Sequence, residues 1–177
     1  KARSLLSEND DLLQKYRDRY TFVCEDEAQD SNRIQNEVLS LIADGNLLRV
    51  GDSNQAICGT FTNSDSSYFR DFCSLPGTVV YSITQSGRST REIIDLANHY
   101  FGYVSTGHPV PQCRDSLLSQ YIEPVGDDDP FPNPAVEGQG VRIGIFNSWE
   151  KEAEEVMKQA ARLIERHPDK TAAILIP

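Results

Sequence analysis

Residues 22–30 read Phe-Val-Cys-Glu-Asp-Glu-Ala-Gln-Asp, an apolar run that stops in four acidic side chains and one glutamine. A buried parallel strand that delivers carboxylates from its carboxyl end points them into the crevice where open α/β sheets bind ligands. Adjacent Asp26 and Glu27 suit a nucleotide-hydrolysing site, in which one carboxylate holds hydrated magnesium and the next aligns or activates the attacking water. Two later segments carry compatible chemistry. Gly51-Asp52-Ser53-Asn54-Gln55 follows the apolar run 47–50, and Gln85-Ser86-Gly87-Arg88-Ser89-Thr90 supplies a guanidinium that is protonated at every working pH. Taken singly, each has an ordinary explanation: a solvated helix start for the acids, a turn for Gly51-Asp52, a surface ion pair for Arg88. Their ordered co-occurrence is what points to a site.

Several elements must position these groups. Leu5, Leu6, Leu12, Leu13 and Tyr16 share one helical face that leads into a strand at 21–25, with Phe22, Val23 and Cys24 buried. Ile34, Val38, Leu41 and Ile42 mark a helix ended by Asp44-Gly45, and a second strand covers 47–50. A short aromatic helix around Tyr68, Phe69 and Phe72 closes this first block at Pro76-Gly77. The βα rhythm restarts with a strand at 78–83 and a helix opened by a capping box of Ser89 with Glu92, whose inward face is Ile93, Ile94, Ala97 and Phe101. Residues 105–139, rich in proline and containing Asp127-Asp128-Asp129, read as a long surface connection. A strand at 141–146, a helix at 149–166 burying Ala153, Val156, Met157, Ala160, Leu163 and Ile164, and a last strand at 172–176 complete the pattern. The acidic start of that last helix is a solvated half matched to the helix dipole. The fold class is α/β with parallel sheets. A final strand with no helix after it suggests a piece of a longer protein.

The chain has 177 residues, 38% of them hydrophobic, and a formal net charge of −10. That balance, with an isoelectric point near 4.7, argues against a broad basic surface, so contact with DNA is expected to be local and to use stacking. Cys24, Cys58, Cys73 and Cys113 are widely spaced, which favours reduced intracellular thiols over a disulfide framework. There is no membrane-length apolar run and no signal-peptide core after the first residues, so a cytoplasmic, DNA-associated protein is expected. His99, His108 and His167 lack ligand spacing, and Asp127-Asp128-Asp129 lacks the glycine and distant glutamate of a calcium loop. Magnesium at Asp26 is the one metal the residues support.

The three segments, Asp26-Glu27-Ala28-Gln29-Asp30, then Val50-Gly51-Asp52-Ser53-Asn54-Gln55-Ala56-Ile57, then Gln85-Ser86-Gly87-Arg88-Ser89-Thr90, together resemble motifs II, III and IV of the UvrD/Rep-like superfamily-one DNA helicases. The resemblance implies parts of two RecA-like P-loop NTPase domains: the end of the first over residues 1–76 and the start of the second over 77–177. It implies that Asp26 binds magnesium, that Glu27 positions water against the γ-phosphate of ATP, and that Gln29, Asp30 and Asp52 couple the site to motif III. Gln55 matches the glutamine that senses the γ-phosphate, and Arg88 the arginine that reaches it from the second domain. The implied partners are ATP, single-stranded and duplex DNA, and the remainder of a longer chain. The implied activity is ATP-driven 3′ to 5′ movement with duplex unwinding.

This sequence also departs from the family pattern. Gly87 stands where the family usually has a tyrosine that stacks on adenine. Cys58-Gly59-Thr60-Phe61-Thr62-Asn63 replaces Tyr-Gly-Trp-Arg-Gly-Ala, which leaves Phe61 as the candidate for stacking on a DNA base, beside the plainer reading of Phe61 and Tyr68 as packing residues. No Gly-x-x-x-x-Gly-Lys-Thr loop occurs, so these residues alone are expected not to hydrolyse ATP. Two other readings stand beside the motor: a degenerate, non-hydrolysing scaffold for DNA or protein, and a motor attached to a nuclease, as in RecB-like and AddA-like relatives.

Overall fold

The computed structural model describes residues 1–57, 59, 63–136 and 140–176. Its amino-terminal part is a βαβ unit preceded by two short helices, α1 (Ala2–Ser7) and α2 (Asp10–Arg17). One helical face was expected here. The chain breaks instead at Glu8-Asn9, because the Asn9 side chain accepts a hydrogen bond from Leu12 N (3.0 Å) and so starts a new helix. Strand β1 (Val23–Glu25) pairs in parallel with β2 (Leu47–Arg49), bringing Glu25 opposite Arg49. Between them runs α3 (Arg33–Ile42), opened by a reciprocal capping box of Asn32 and Gln35. Gly45, at φ +79°, turns the chain back into β2.

The register of β1 and β2 creates an ion pair that sequence pattern did not anticipate. Arg49 Nε donates to Glu25 Oε2, the Ser31 hydroxyl donates to Glu25 Oε1, and the Arg49 guanidinium lies 5.2 Å from the centre of the Phe72 ring. The two charged side chains are only 4% and 10% exposed. Phe72 belongs to α4 (Ser67–Cys73), so this pair fastens α4 to the sheet beside the 3-10 turn Ala28–Asp30.

The expected burial of β1 is corrected. Phe22 and Cys24 are exposed, because a two-stranded sheet has too little width to cover both its faces. Leu5, Leu12, Tyr16, Phe22 and Val38 instead line an open apolar groove of about 520 Å³.

The second block differs more. No strand forms over 78–83, where Val79, Tyr81 and Ile83 are exposed. Strand β3 (Gln85–Ser86) begins only afterwards and pairs in parallel with β4 (Glu123–Pro124), which the connection at 105–139 supplies. Helix α5 (Arg91–Gly107) starts at Thr90, whose side chain accepts from Ile93 N, and the Ser89 with Glu92 capping box is not the observed cap. Ile94 and Val104 are its buried residues, while Ile93 and Ala97 are exposed and Phe101 is half-buried. Residues 141–146 and 172–176 form no strand. Helix α6 (Trp149–Arg166) lies where the apolar spacing placed it, capped by Ser148, yet it buries none of the residues assigned to its inward face. Alternation and helical spacing report which side of an element is apolar; they do not supply the surface that covers it.

The accessible surface measures that difference. It is 14239 Å², against roughly 8,600 Å² for a compact monomer of this mass. Among the described residues the buried apolar side chains are Leu6, Ala28, Ile94 and Val104. The architecture is a mixed α/β chain with two small parallel sheets, compatible with part of a P-loop NTPase fold. Among the described residues no helix is long and apolar enough to cross a membrane.

Candidate nucleotide site

The site begins where β1 ends. Glu27 adopts left-handed backbone angles, φ 52° and ψ 42°, which turn the chain out of the strand and into the 3-10 turn Ala28–Asp30. That turn is held against the second strand, since Ala28 N donates to Val50 O (2.9 Å) and Val50 N donates to Glu25 O (2.9 Å). Ala28 and Gln29 are consequently buried, at 0% and 1% exposure, whereas Asp26 and Glu27 stay at the surface.

Gln29 joins the two acidic loops. Its Nε2 donates to Glu27 Oε2 (2.7 Å), and its Oε1 accepts from Asp52 N (3.0 Å). A buried amide that uses both ends fixes its own orientation, and here it also aims the Glu27 carboxylate. Gly51 makes this approach possible. A Cβ there would lie 2.6 Å from Gln29 Oε1 and 3.1 Å from Ala28 N, so any side chain would push the two loops apart. Asp52 then organises its own turn: Oδ1 accepts from Asn54 N (2.9 Å) and Oδ2 from Gln55 Nε2 (2.9 Å).

Six of the anticipated residues are thus linked. Glu27, Gln29, Asp52 and Gln55 form one hydrogen-bonded chain, and Asp30 joins its start because Asp30 N donates to Glu27 O (2.9 Å). Asp26 sits beside this chain, its Oδ1 accepting from Glu27 N (2.9 Å). Asp30 Oδ1 is buried and accepts no hydrogen bond among the described residues. Arg88 is exposed and has no hydrogen-bond or ion-pair partner among the described residues, so the structure does not bring it to the acids. Phe61 and Thr60 lie outside the described residues, and Tyr68 is half-buried.

Gly87 has a local reason. A Cβ there would lie 2.6 Å from the Phe131 carbonyl oxygen, because the loop after β4 crosses this backbone. Sequence pattern gave no hint of that contact, nor of Asn133, whose Nδ2 donates to Ser89 O (2.9 Å) and whose Oδ1 accepts from Val125 N (3.0 Å). An asparagine in a proline-rich stretch was the available signal.

The donor set fits a hard cation. Asp26 and Glu27 offer exposed carboxylate oxygens, while both oxygens of Asp52 are committed to its own turn. Among the described residues no three His, Cys, Asp or Glu side chains gather as a metal cage. Magnesium needs no such cage, because it keeps most of its waters and takes one or two carboxylates together with substrate phosphates.

The family model for the UvrD/REP helicase N-terminal domain matches residues 1–74, the part that contains the Glu27, Gln29 and Asp52 chain. The chain is also similar to a protein of Mycoplasma pneumoniae named as a probable DNA helicase II homolog, 32% identical over 144 residues, which are 78% of this chain and 20% of that protein. An ATP-dependent helicase/nuclease protein of Staphylococcus carnosus is 30% identical over 167 residues, 87% of this chain and 13% of that protein. Its namesake in Streptococcus pyogenes serotype M5 is 34% identical over 110 residues, 58% of this chain and 9% of that protein. The chain therefore spans a fifth or less of the length of these relatives.

Proposed function

We propose that these residues belong to an ATP-dependent DNA helicase or translocase and carry part of its nucleotide site. The observation that carries the reading is Gln29, a buried amide that holds the Glu27 carboxylate at one end and the backbone of the Asp52 loop at the other. A nucleotide-driven motor needs a carboxylate presented in a fixed direction and a link from that carboxylate to a second loop; a buried side chain bonded to both is suited to that work. The match of residues 1–74 to a helicase domain supports the same reading.

In this proposal Asp26-Glu27-Ala28-Gln29-Asp30 serves as motif II, the segment from Gly51 to Ile57 as motif III, and the segment from Gln85 to Thr90 as motif IV. Asp26 holds magnesium, which when bound draws charge from the phosphate oxygens. Glu27 orients the attacking water and accepts its proton, Gln55 contacts the γ-phosphate, and Arg88 approaches it from a second RecA-like domain that begins near residue 77. Movement on single-stranded DNA runs 3′ to 5′. Phe61 stacks on a base of that strand. Residues 1–177 alone do not turn over ATP, since they contain no phosphate-binding loop.

The experiment is ATP hydrolysis by the full-length protein with and without single-stranded DNA, with Glu27→Gln as control. DNA-stimulated turnover that the substitution removes is the expected result. Absence of turnover from a folded preparation would move the assignment to a non-hydrolysing scaffold. A second reading, the same motor joined to a nuclease, is favoured by the similarity to two helicase/nuclease proteins, one of them across 87% of the chain. Metal-dependent cleavage of DNA by the full-length protein tests it.

A further inference from the structure

The long connection after α5 is stitched to the rest of the chain by asparagine side chains. Asn98, on α5, donates from Nδ2 to Ile122 O (2.8 Å) and accepts at Oδ1 from Ile122 N (2.9 Å). Asn133 binds Ser86 O, Ser89 O and Val125 N, and Arg91 pairs with Asp127 at 2.9 Å. With the β3–β4 pairing, these contacts make residues 85–107 and 121–133 one body that carries Arg88. The asparagine contacts of this body are part-buried, so water competes for them poorly.

A third asparagine makes the same reciprocal bond at a different place. Asn54 Nδ2 donates to Leu118 O (3.0 Å), and Leu118 N donates to Asn54 Oδ1 (2.8 Å). This pair crosses between the two blocks. It ties the turn that holds Gln55 to the connection that leads into the Arg88 body, and unlike the other two it is exposed to solvent. Exposed hydrogen bonds exchange with water at small net cost, so when the blocks move, this contact opens before the buried ones do.

We propose that Asn54 and Leu118 form a reversible latch between the two blocks, which makes Asn54 a positioning residue for the Gln55 and Arg88 sides of the nucleotide site; this rests on the nucleotide-site reading above. The residue type is specific to the task. Asparagine supplies a donor and an acceptor to one backbone unit, aspartate only the acceptor, alanine neither. The turn itself does not need the side chain, because its bond to Asp52 uses Asn54 N.

The test compares wild type, Asn54→Ala and Asn54→Asp in the full-length protein, reading amide hydrogen exchange together with kcat and KM for ATP in the presence of single-stranded DNA. Asn54→Ala is expected to speed exchange at Leu118 by about tenfold, to leave exchange at Ile122 and Val125 unchanged, and to lower kcat several-fold with KM within about twofold. Asn54→Asp falls between the two. Unchanged exchange at Leu118 overturns the latch, and faster exchange with unchanged kcat overturns the positioning role. If Asn54→Ala also speeds exchange at Ile122, the body itself has loosened and Asn54→Asp decides. A wild type without turnover removes the nucleotide-site reading and the positioning role together, while the exchange data still decide whether the latch exists.

Discussion

In the proposed site, Glu27 and Gln29 divide one task between chemistry and aim. Replacing Glu27 by Gln keeps the shape and the partner at Gln29 but removes the base, so turnover by the full-length protein should fall by about 10²–10⁴-fold with ATP binding retained, as read by steady-state kinetics beside a nucleotide-binding titration. Gln29→Ala acts differently. It strips the Asp52 N–H of its buried acceptor, which should cost about 1–3 kcal/mol in urea unfolding, and it frees the Glu27 carboxylate to rotate, which should lower kcat. Gly51→Ala should reproduce the second effect through a Cβ placed 2.6 Å from Gln29 Oε1. Equal kcat in all three variants and the wild type would remove this chain from the chemistry.

At the scale of elements, the Glu25–Arg49 pair joins β1, β2 and α4. Arg49→Met leaves a buried carboxylate with only Ser31 as partner and should cost about 3–5 kcal/mol, whereas the double replacement Glu25→Leu with Arg49→Met should recover most of that loss in chemical denaturation. A double variant as unstable as the single one would show that packing, not charge, dominates here. The contact between α1 and α3 has a pH signature. Glu37 accepts from Arg33 (2.8 Å) and pairs with Arg3 of α1 (2.9 Å). Chiefly the Arg33 hydrogen bond, then the Arg3 charge, holds its carboxyl below the ordinary 4.5. A lowered folded value means that the charged form supports folding; the support is complete above pH 4.5 and is lost as pH falls through the lowered value. The protection of α1 amides, taken relative to their intrinsic exchange rates, should therefore fall as pH drops from 4.5 through the lowered value, less so at high salt, and Glu37→Gln should abolish that change in protection.

The whole molecule exposes far more surface than a compact monomer of its mass, and many large apolar side chains are among the exposed residues. Val79, Tyr81 and Ile83, and Ile174 to Ile176, are apolar, uncovered and outside any helix or strand, the kind of surface through which one chain adheres to another. Residues 1–177 prepared alone should associate with rising concentration in light scattering, and Tyr81→Lys with Ile83→Lys should reduce it. Association unaffected by those substitutions would place the sticky surface elsewhere, with the groove beneath α1 and α2 as the next site to examine.

Much of the candidate cluster was legible because its residues are local in sequence: Asp26, Glu27, Gln29, Asp30, Asp52 and Gln55 lie within two short loops, and the apolar runs before them marked where strands end. Helices α3, α5 and α6 were legible for the same reason, since 3.6-residue apolar spacing acts over neighbouring residues, although the cap of α5 lies at Thr90 and not at Ser89. What the tertiary structure alone decided depends on residues far apart in the chain. The left-handed turn at Glu27 that buries Gln29, the pairing of Glu25 with Arg49, the need for glycine at position 87 beneath the Phe131 carbonyl, and the reach of Asn54 to Leu118 all arise from approach between distant segments. The strands expected at 78–83, 141–146 and 172–176 failed for the complementary reason: a strand is stabilised by its neighbours, and pattern alone names the candidate without providing the partner.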